Sequence, residues 1–294
     1  MLTLLVPGGG GQLGRSLAAL SSPELTVLAP TSAELDVTSA GAVIAAVSAL
    51  SGPAVVVNAA AYTAVDAAET DQARAFAVNA DAPRVLAAAC SSRGVPLVHV
   101  STDYVFPGDA DRPYEVDSPV GPKSVYGLTK LAGEEAVLGS GARAWVVRTA
   151  WIYSGFGSNF VKTMARLEGE RDKLAVVDDQ RGAPTWAADL AGGLVELARA
   201  IAAGKGPRSR VLHCTNAGEV TWFGFARAVF EQLGADPARV SACTSAEYPR
   251  PAERPAYSVL SDAAWRAGGL TPLRPWEAAL AAAFAAGAFT DGGS

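Results

Sequence analysis

Short, continuous apolar runs recur along the first half of the chain, each followed by small or polar residues and then by a stretch with helical spacing. Residues 2–6, 25–29, 53–57, 95–101 and 144–148 are rich in Val and Leu and carry almost no charge, the pattern of strands buried on both faces of a parallel sheet. Helical stretches follow: one begins near Gln12, one is capped by the Asp36-Val37-Thr38-Ser39 connection, Val65 to Glu69 opens a third, another carries Asn79 and runs to about Ser92, and residues 124–138 form the last. The repeated order strand, helix, strand, helix predicts an α/β fold with a doubly wound parallel sheet. In 124–138, Ser124 is placed to cap the helix, and Leu128, Leu131, Ala132, Glu135 and Leu138 are spaced to give one apolar face. Tyr126 and Lys130 are then one turn apart on one side.

The later chain reads as a helix over 159–168, a strand over 174–177, a loop over 180–185, a helix over 189–200 with Leu190, Leu194 and Leu197 at core spacing, a strand over 210–214 and a helix over 221–233. No internal repeat or low-complexity linker interrupts it. The expected division is a dinucleotide-binding domain over 1–150, with 185–215 returning to it, and a smaller substrate-binding lobe from 151–184 and 216–294.

Composition narrows the partners. Of 294 residues half are hydrophobic and 18% charged, with net charge −5 and no Lys/Arg cluster, so a sizeable core is expected and nucleic acid and anionic membranes are not. Three cysteines (Cys90, Cys214 and Cys243) without a C-x-x-C spacing, and two histidines (His99 and His213), suit neither a disulfide framework nor a zinc site, and no metal is expected. The apolar start lacks a basic n-region and reads as a first strand, and the Ala-rich run over 278–288 is too short to span a bilayer, so a cytoplasmic protein is expected.

Candidate chemistry lies where strands end. Gly8-x-x-Gly11-x-x-Gly14 follows the first strand and opens a helix, the context in which missing side chains permit a tight turn, close approach of a pyrophosphate and helix packing; the alternative is a purely structural glycine turn. After the second strand, Pro30-Thr31-Ser32 lacks the acid that binds a ribose 2′-OH. That leaves room for a 2′-phosphate, with Thr31, Ser32 and Arg15 as donors, so NADPH is favoured and NADH tolerated. Asp36 either reaches the adenine edge or is a plain helix-entry residue. Ala59, Ala60 and Ala61 are small enough for a flat cofactor to lie against backbone.

Ser101-Thr102-Asp103-Tyr104 ends the fourth strand, and Tyr126-x-x-x-Lys130 follows one loop later. A phenol titrates near ~10. An ammonium about 4 Å away at an effective dielectric of ~20 supplies roughly 4 kcal/mol, about three pKa units, enough to bring the tyrosine near neutrality. With a Thr102 hydroxyl on a carbonyl oxygen, the set would form a clamp for reducing a ketone; the alternative is an exposed tyrosine lying on a lysine stem. Trp151, just past the 144–148 strand, is either a pocket wall on which a sugar stacks or a core tryptophan. The Pro-rich 248–258 segment carries Arg250 and Arg254, suited to paired contacts with a diphosphate or else part of an exposed connector.

Gly8-Gly-Gly-Gly11-Gln-Leu-Gly14, Leu35-Asp-Val-Thr38, Asn58-Ala-Ala-Ala-Tyr-Thr-Ala-Val-Asp66, Ser101-Thr-Asp-Tyr-Val-Phe106 and Tyr126-Gly-x-x-Lys130 together resemble the extended short-chain dehydrogenase/reductases, more narrowly the dTDP-4-dehydrorhamnose reductase family. The likeness runs on through Arg148-Thr-Ala-Trp151, Asp178 to Thr185 and Arg250 to Pro255. The resemblance implies hydride delivery from NADPH or NADH to C4 of a nucleotide-linked 4-keto-6-deoxy sugar. By position it implies Thr102, Tyr126 and Lys130 as catalytic residues, and Gly8, Gly11, Gln12, Leu13, Asp36, Val37, Ala59, Ala60, Ala61, Tyr126 and Lys130 at the cofactor. Thr102, Asp103, Tyr126, Trp151 and Arg254 would hold the substrate, in a monomer or homodimer. Pro7 departs from the family pattern, and Tyr104 stands where dehydratases of the superfamily carry Glu. An epimerase, a ketoreductase for another hexose and a silent cofactor-binding subunit are the remaining alternatives.

Overall fold

The computed structural model describes residues 1–289; the last five residues assigned above to the substrate lobe lie outside the described residues. Strands β1 (Leu2–Leu5), β2 (Leu25–Leu28), β3 (Ala54–Asn58), β4 (Leu97–Thr102) and β5 (Ala144–Thr149) join the edge strand Val211–His213 in one parallel sheet. Their order is β2, β1, β3, β4, β5, Val211–His213, so the winding reverses between β1 and β3. In such sheets the crevice at the reversal is the ligand site.

Helices cover both faces, as expected. On one, α1 (Gln12–Ala18) packs with a later helix, Ala187–Ala202, over Leu4, Val55, Val57, Val98 and Val147. On the other, α2 (Ala40–Ser48), α5 (Ala82–Arg93) and α6 (Val125–Leu138) cover Leu5, Val56, Leu97 and Val146; the short α3 (Val65–Ala68) and α4 (Gln72–Phe76) lie between α2 and α5 in the chain. Alternate residues of one strand enter opposite cores, which is why these strands read as unbroken apolar runs rather than alternating ones. A separate core joins Tyr153 of the short strand Ile152–Tyr153 to Val161, Met164, Val176, Phe225, Phe230, Trp276 and Leu280 from α7 (Phe160–Glu170), Trp222–Gln232, Trp276–Ala285 and the parallel pair Leu174–Val177 with Val240–Cys243.

Two readings change. Asn79 lies in a π-helical turn, Ala77–Asp81, between α4 and α5, not in a plain α-helix. And α6 does not bury the stripe its leucines suggested: Leu128 and Leu138 are exposed, while Gly127, Thr129, Lys130, Gly133, Glu134 and Val137 face inward. Small residues let a helix approach closely, and that approach outweighs the burial of two leucines here.

Leu190, Leu194 and Leu197 are buried at core spacing, as their periodicity predicts. Leu194→Ala should lower unfolding free energy by about 2–5 kcal/mol with an unchanged urea m-value. A loss below about 1 kcal/mol would show that the helix is not held through this face.

Candidate active site

The glycine loop is pressed between strand ends. Gly8 has φ +88°, and a Cβ there would stand 2.6 Å from Ala60 N. At Gly9 it would lie 1.9 Å from Ala29 O, and at Gly14 2.3 Å from Gly8 O, whereas Gly11 meets nothing nearer than 3.4 Å. The stringent positions are thus Gly8, Gly9 and Gly14. The loop after β1 and the Ala59–Ala60 backbone after β3 meet at the reversal point, as a flat ligand spanning both requires. Gly11 begins α1 without a side-chain cap, and Leu13 sends its side chain into the core, leaving only backbone to a ligand. Missing Cβ atoms, an uncapped helix start and the small Ala59, Ala60 and Ala61 fit a dinucleotide.

Gln12 is committed elsewhere: its Oε1 accepts from Ser154 Oγ and Asn159 Nδ2, both at 3.0 Å. Arg15 stacks over the Phe156 ring at 4.1 Å, not towards the end of β2. There the chain does supply an acid. Glu34 folds back so that its carboxylate accepts Thr31 N at 2.8 Å and Thr31 Oγ1 at 2.9 Å, bonds that hold its pKa below the usual value. Asp36 accepts from Thr38 N and Oγ1, the geometry of a turn leading into the Ser39 cap, and its neighbour Val37 is half-buried.

Four devices set α6 against the end of β4. Ser124 caps it by accepting from Gly127 N, and Glu69 accepts from Val125 N at 2.9 Å. A Cβ on Gly127 would meet Tyr104 O at 2.2 Å, and one on Gly133 would meet Asn79 O at 2.1 Å. Asn79 ties the π-turn to both sides: Nδ2 donates to Thr129 Oγ1 and to Tyr62 O, and Oδ1 accepts from Tyr62 N. Tyr126 thereby stands edge-on to Tyr104, ring centroids 5.4 Å apart, and within hydrogen-bonding reach of Thr102.

The charges differ from the simple pairing. Burial pushes the Tyr126 phenol up to about 12, the Thr102 hydrogen bond opposes this, and the Asp103 charge adds to it. Lys130 does not bring the tyrosine near neutrality, because its Nζ donates to Val100 O at 2.7 Å and lies 3.5 Å from His99 Nε2. Burial lowers Lys130 to about 8, against the pull of Glu134. Spacing of i and i+4 brought the two residues to one side of the helix but did not direct their tips together. Glu134 itself is locked to Arg148 in a buried two-pronged pair, with contacts of 3.0 and 2.7 Å.

Thr102 donates to Asp103 Oδ1 at 2.9 Å and accepts from Tyr104 N. Asp103 is 2% exposed, and burial raises its pKa to about 6 against the hydrogen bond from Thr102. Arg254 gives Nη2 to Asp66 at 2.8 Å and Nη1 to Ala252 O, and Arg250 lies 3.6 Å from the same carboxylate, so the strap's donors are turned to a protein acid. Trp151 sits at φ 47°, stacked on Trp222 with centroids 3.5 Å apart and planes at 8°. One face of its indole is therefore already covered. Left-handed backbone in a bulky residue costs roughly 1–3 kcal/mol, and the Trp222 stack helps to hold it.

The structure thus gathers Thr102, Asp103 and Tyr126 at one strand end and the Gly8 loop with Ala59 and Ala60 at the next. Asp66, Trp222, Glu34 and His99 were missed as site neighbours. Each is an ordinary residue in sequence, and only Asp66 lay inside a quoted motif.

Parallel sheets with a glycine loop at the reversal point and a hydroxyl, a phenol and a lysine beside the neighbouring strand define the class of extended short-chain dehydrogenase/reductases. Within it, the chain belongs to the RmlD substrate binding domain family, whose model matches residues 2–288. It is 51% identical over 284 residues to a dTDP-4-dehydrorhamnose reductase of Streptomyces griseus, covering 96% of this chain and 93% of that one. It is 45% identical to a dTDP-4-keto-6-deoxy-D-glucose reductase of Streptomyces niveus, covering 95% and 96%. Its fold matches the crystal structure of a Bacillus anthracis dTDP-4-dehydrorhamnose reductase in complex with NADP, with TM-score 0.90, 33% identity and coverage of 97% and 99%.

Asp103 has a sign that can be tested. Its native pKa of about 6 lies above the unfolded value, so the native state holds more protons between about pH 4 and 6 and loses stability as pH rises through that window. Asp103→Asn should therefore gain stability relative to the parent on going from pH 4 to pH 8, by on the order of 2 kcal/mol. A pH-independent difference in urea unfolding would refute the buried carboxylate.

Proposed function

We propose that this chain is an NADPH-dependent oxidoreductase, also accepting NADH, that reduces the C4 keto group of dTDP-4-dehydro-β-L-rhamnose to dTDP-L-rhamnose. The observation that carries the reading is the Tyr126 phenol set edge-on to Tyr104 beside Thr102 at the end of β4, within a chain of this family. A ketone reduction ends by protonating an alkoxide, and a phenol kept protonated at neutral pH is the donor it needs.

Bound NADPH supplies the hydride to C4. Tyr126 gives its proton to O4, and Thr102 orients that oxygen by exchanging its bond to Asp103 for one to the substrate. Lys130 holds the nicotinamide ribose through its ammonium. Gly8, Gly11 and the backbone at Gln12 and Leu13 meet the pyrophosphate, with Ala59 to Ala61 along the cofactor. Asp36 and Val37 border the adenine end. Trp151 walls the sugar, and Arg254 meets the diphosphate by sharing its donors with Asp66. Tyr104 leaves no carboxyl after the Thr-Asp pair, which disfavours dehydration at C5 and C6.

The proposal divides the chain into a dinucleotide-binding part, residues 1–150 with 185–215, and a sugar-nucleotide part, 151–184 and 216 onward. The strand Val211–His213 in the main sheet and helix Ala187–Ala202 on its face support that division. The protein acts in the cytoplasm as a monomer or homodimer; no helix among the described residues is long and apolar enough to cross a membrane. A second reading, reduction of another dTDP-4-keto-6-deoxy hexose, is favoured by the resemblance to the Streptomyces niveus reductase.

Loss of NADPH absorbance with dTDP-4-dehydro-L-rhamnose generated in situ tests the proposal. Wild type should oxidise NADPH only with the sugar present, and Tyr126→Phe should lose about 10²–10⁴-fold in kcat/KM with NADPH binding nearly unchanged. Turnover of the D-gluco ketone alone would select the second reading. A Tyr126→Phe enzyme at wild-type rate would remove the phenol from the mechanism.

A further inference from the structure

Behind Lys130 lies a chain of buried polar groups that the reaction above does not use. Asn58, at the end of β3, His99, its register partner on β4, and Lys130 are all buried. Asn58 Oδ1 accepts from Ala60 N at 3.2 Å, Asn58 Nδ2 lies 3.1 Å from His99 Nδ1, and His99 Nε2 lies 3.5 Å from Lys130 Nζ.

Donor and acceptor counting fixes the protons along this chain. An amide N–H can only donate, so Ala60 N requires the oxygen of Asn58 and thereby turns Nδ2 towards the imidazole. A carboxamide nitrogen also only donates, so His99 Nδ1 carries the lone pair and the ring proton sits on Nε2. Reversing the tautomer requires flipping Asn58, which sets its NH₂ against the half-buried Ala60 N–H and loses that hydrogen bond, at a cost of about 1 kcal/mol. The ring is fully enclosed, and burial together with the nearby Lys130 charge keeps it neutral.

We propose that His99 is a positioning residue for Lys130: fixed by Asn58 as the Nε2–H tautomer, it presents an N–H to the lysine nitrogen and favours the neutral amine over the ammonium. A neutral amine offers a lone pair to that N–H, whereas an ammonium sets hydrogen against hydrogen. Val100 O accepts from either form. The other charged and titratable groups on α6 are Glu134, whose attraction for the ammonium is blunted by Arg148 from β5, Tyr126, one turn away, and Glu135, which is exposed. His99 is the group that faces Lys130 from β4. The lysine thus has a charge poised near the working pH, which burial assists by lowering it to about 8. Because Ala60 is also the residue against which Gly8 packs, the same hydrogen-bond chain begins at the wall of the dinucleotide crevice and ends at the lysine.

The inference rests on the proposed role of Lys130 in cofactor binding, and two measurements separate the two. The sequence has only two histidines, which makes ring ¹⁵N NMR of the whole protein simple to read. His213 Nδ1 lies 3.1 Å from the carbonyl of Ser261 and must donate to it, so the two rings should show opposite neutral tautomers, His99 protonated on Nε2 and His213 on Nδ1. A His213→Gln spectrum assigns them. An Nδ1-protonated or charged His99 at pH 7 overturns the proposal, whatever the enzyme reduces.

The second measurement is the NADPH dissociation constant against pH, read by fluorescence and independent of turnover. If only the ammonium form binds well, a lysine at about 8 makes binding about tenfold weaker at pH 9 than at pH 7. Taking away the ring N–H in His99→Phe should move this limb up by about one unit and reduce the ratio to roughly twofold. In His99→Gln, whose amide nitrogen can take the Nε2 position, the ratio should stay near that of the wild type. A limb unmoved in folded His99→Phe, or moved equally in both variants, counts against the N–H as the cause. If the tautomer and the limb behave as expected while no sugar is reduced, the positioning role stands and the substrate assignment fails.

Discussion

Everything at the strand ends depends on how closely α6 can lie against β4 and the π-turn. Two missing side chains set that distance: a methyl at Gly127 would overlap the Tyr104 carbonyl, and one at Gly133 would overlap the carbonyl of Asn79. With the helix this close, Tyr126 comes into reach of Thr102 and Lys130 is driven into the protein rather than along its surface. The exposed Leu128 and Leu138 are the counterpart of that choice, since the face that packs is the one with glycines. The irregular turn at residues 77–81 belongs to the same constraint, because its Asn79 bridges the Tyr62 backbone to Thr129 of the helix.

Close packing brings ionisable groups into a dry environment, and each is handled differently. Glu134 and Arg148 pair with one another, the arrangement in which two buried charges are best tolerated. Lys130 has a backbone carbonyl and a neutral imidazole instead of a carboxylate, so its charge is held loosely. Asp103 has the Thr102 hydroxyl and backbone N–H donors, and its carboxyl still rises towards neutrality. A phenol that stays protonated, a lysine lowered by burial and a carboxyl raised by burial thus lie together at one strand end.

The second part of the chain is fastened to the dinucleotide crevice by polar contacts. Gln12, first residue of α1, accepts from Ser154 and Asn159, and Asn159 in turn caps α7 by accepting from Lys162 N. The Pro-rich strap is held at Asp66, which pairs with Arg254 and accepts from Ala252 N. Groups expected to face ligands are thus also those that join the two parts.

Sequence by itself determined what local periodicity and covalent geometry control. Unbroken Val and Leu runs separated by helical spacing allow little but a parallel sheet covered on both faces. A glycine turn after the first strand marked the crevice at the reversal of the sheet, and the order of small motifs named the family. It placed Ser124 as a cap and the three leucines of 189–200 in the core, because caps and stripes depend on neighbours within a turn or two. Tertiary structure decided the rest, for reasons of distance and direction. A helical spacing says that Tyr126 and Lys130 share a side, but not that one tip turns to Thr102 and the other to Val100 and His99. The strand after Leu28 looks free of acid until Glu34 folds back onto Thr31, and Arg254 looks free for a diphosphate until Asp66, nearly two hundred residues earlier, is found beneath it. Burial makes the largest difference, since it reversed the direction of the Tyr126 shift, and burial belongs to the assembled chain and not to any segment of it.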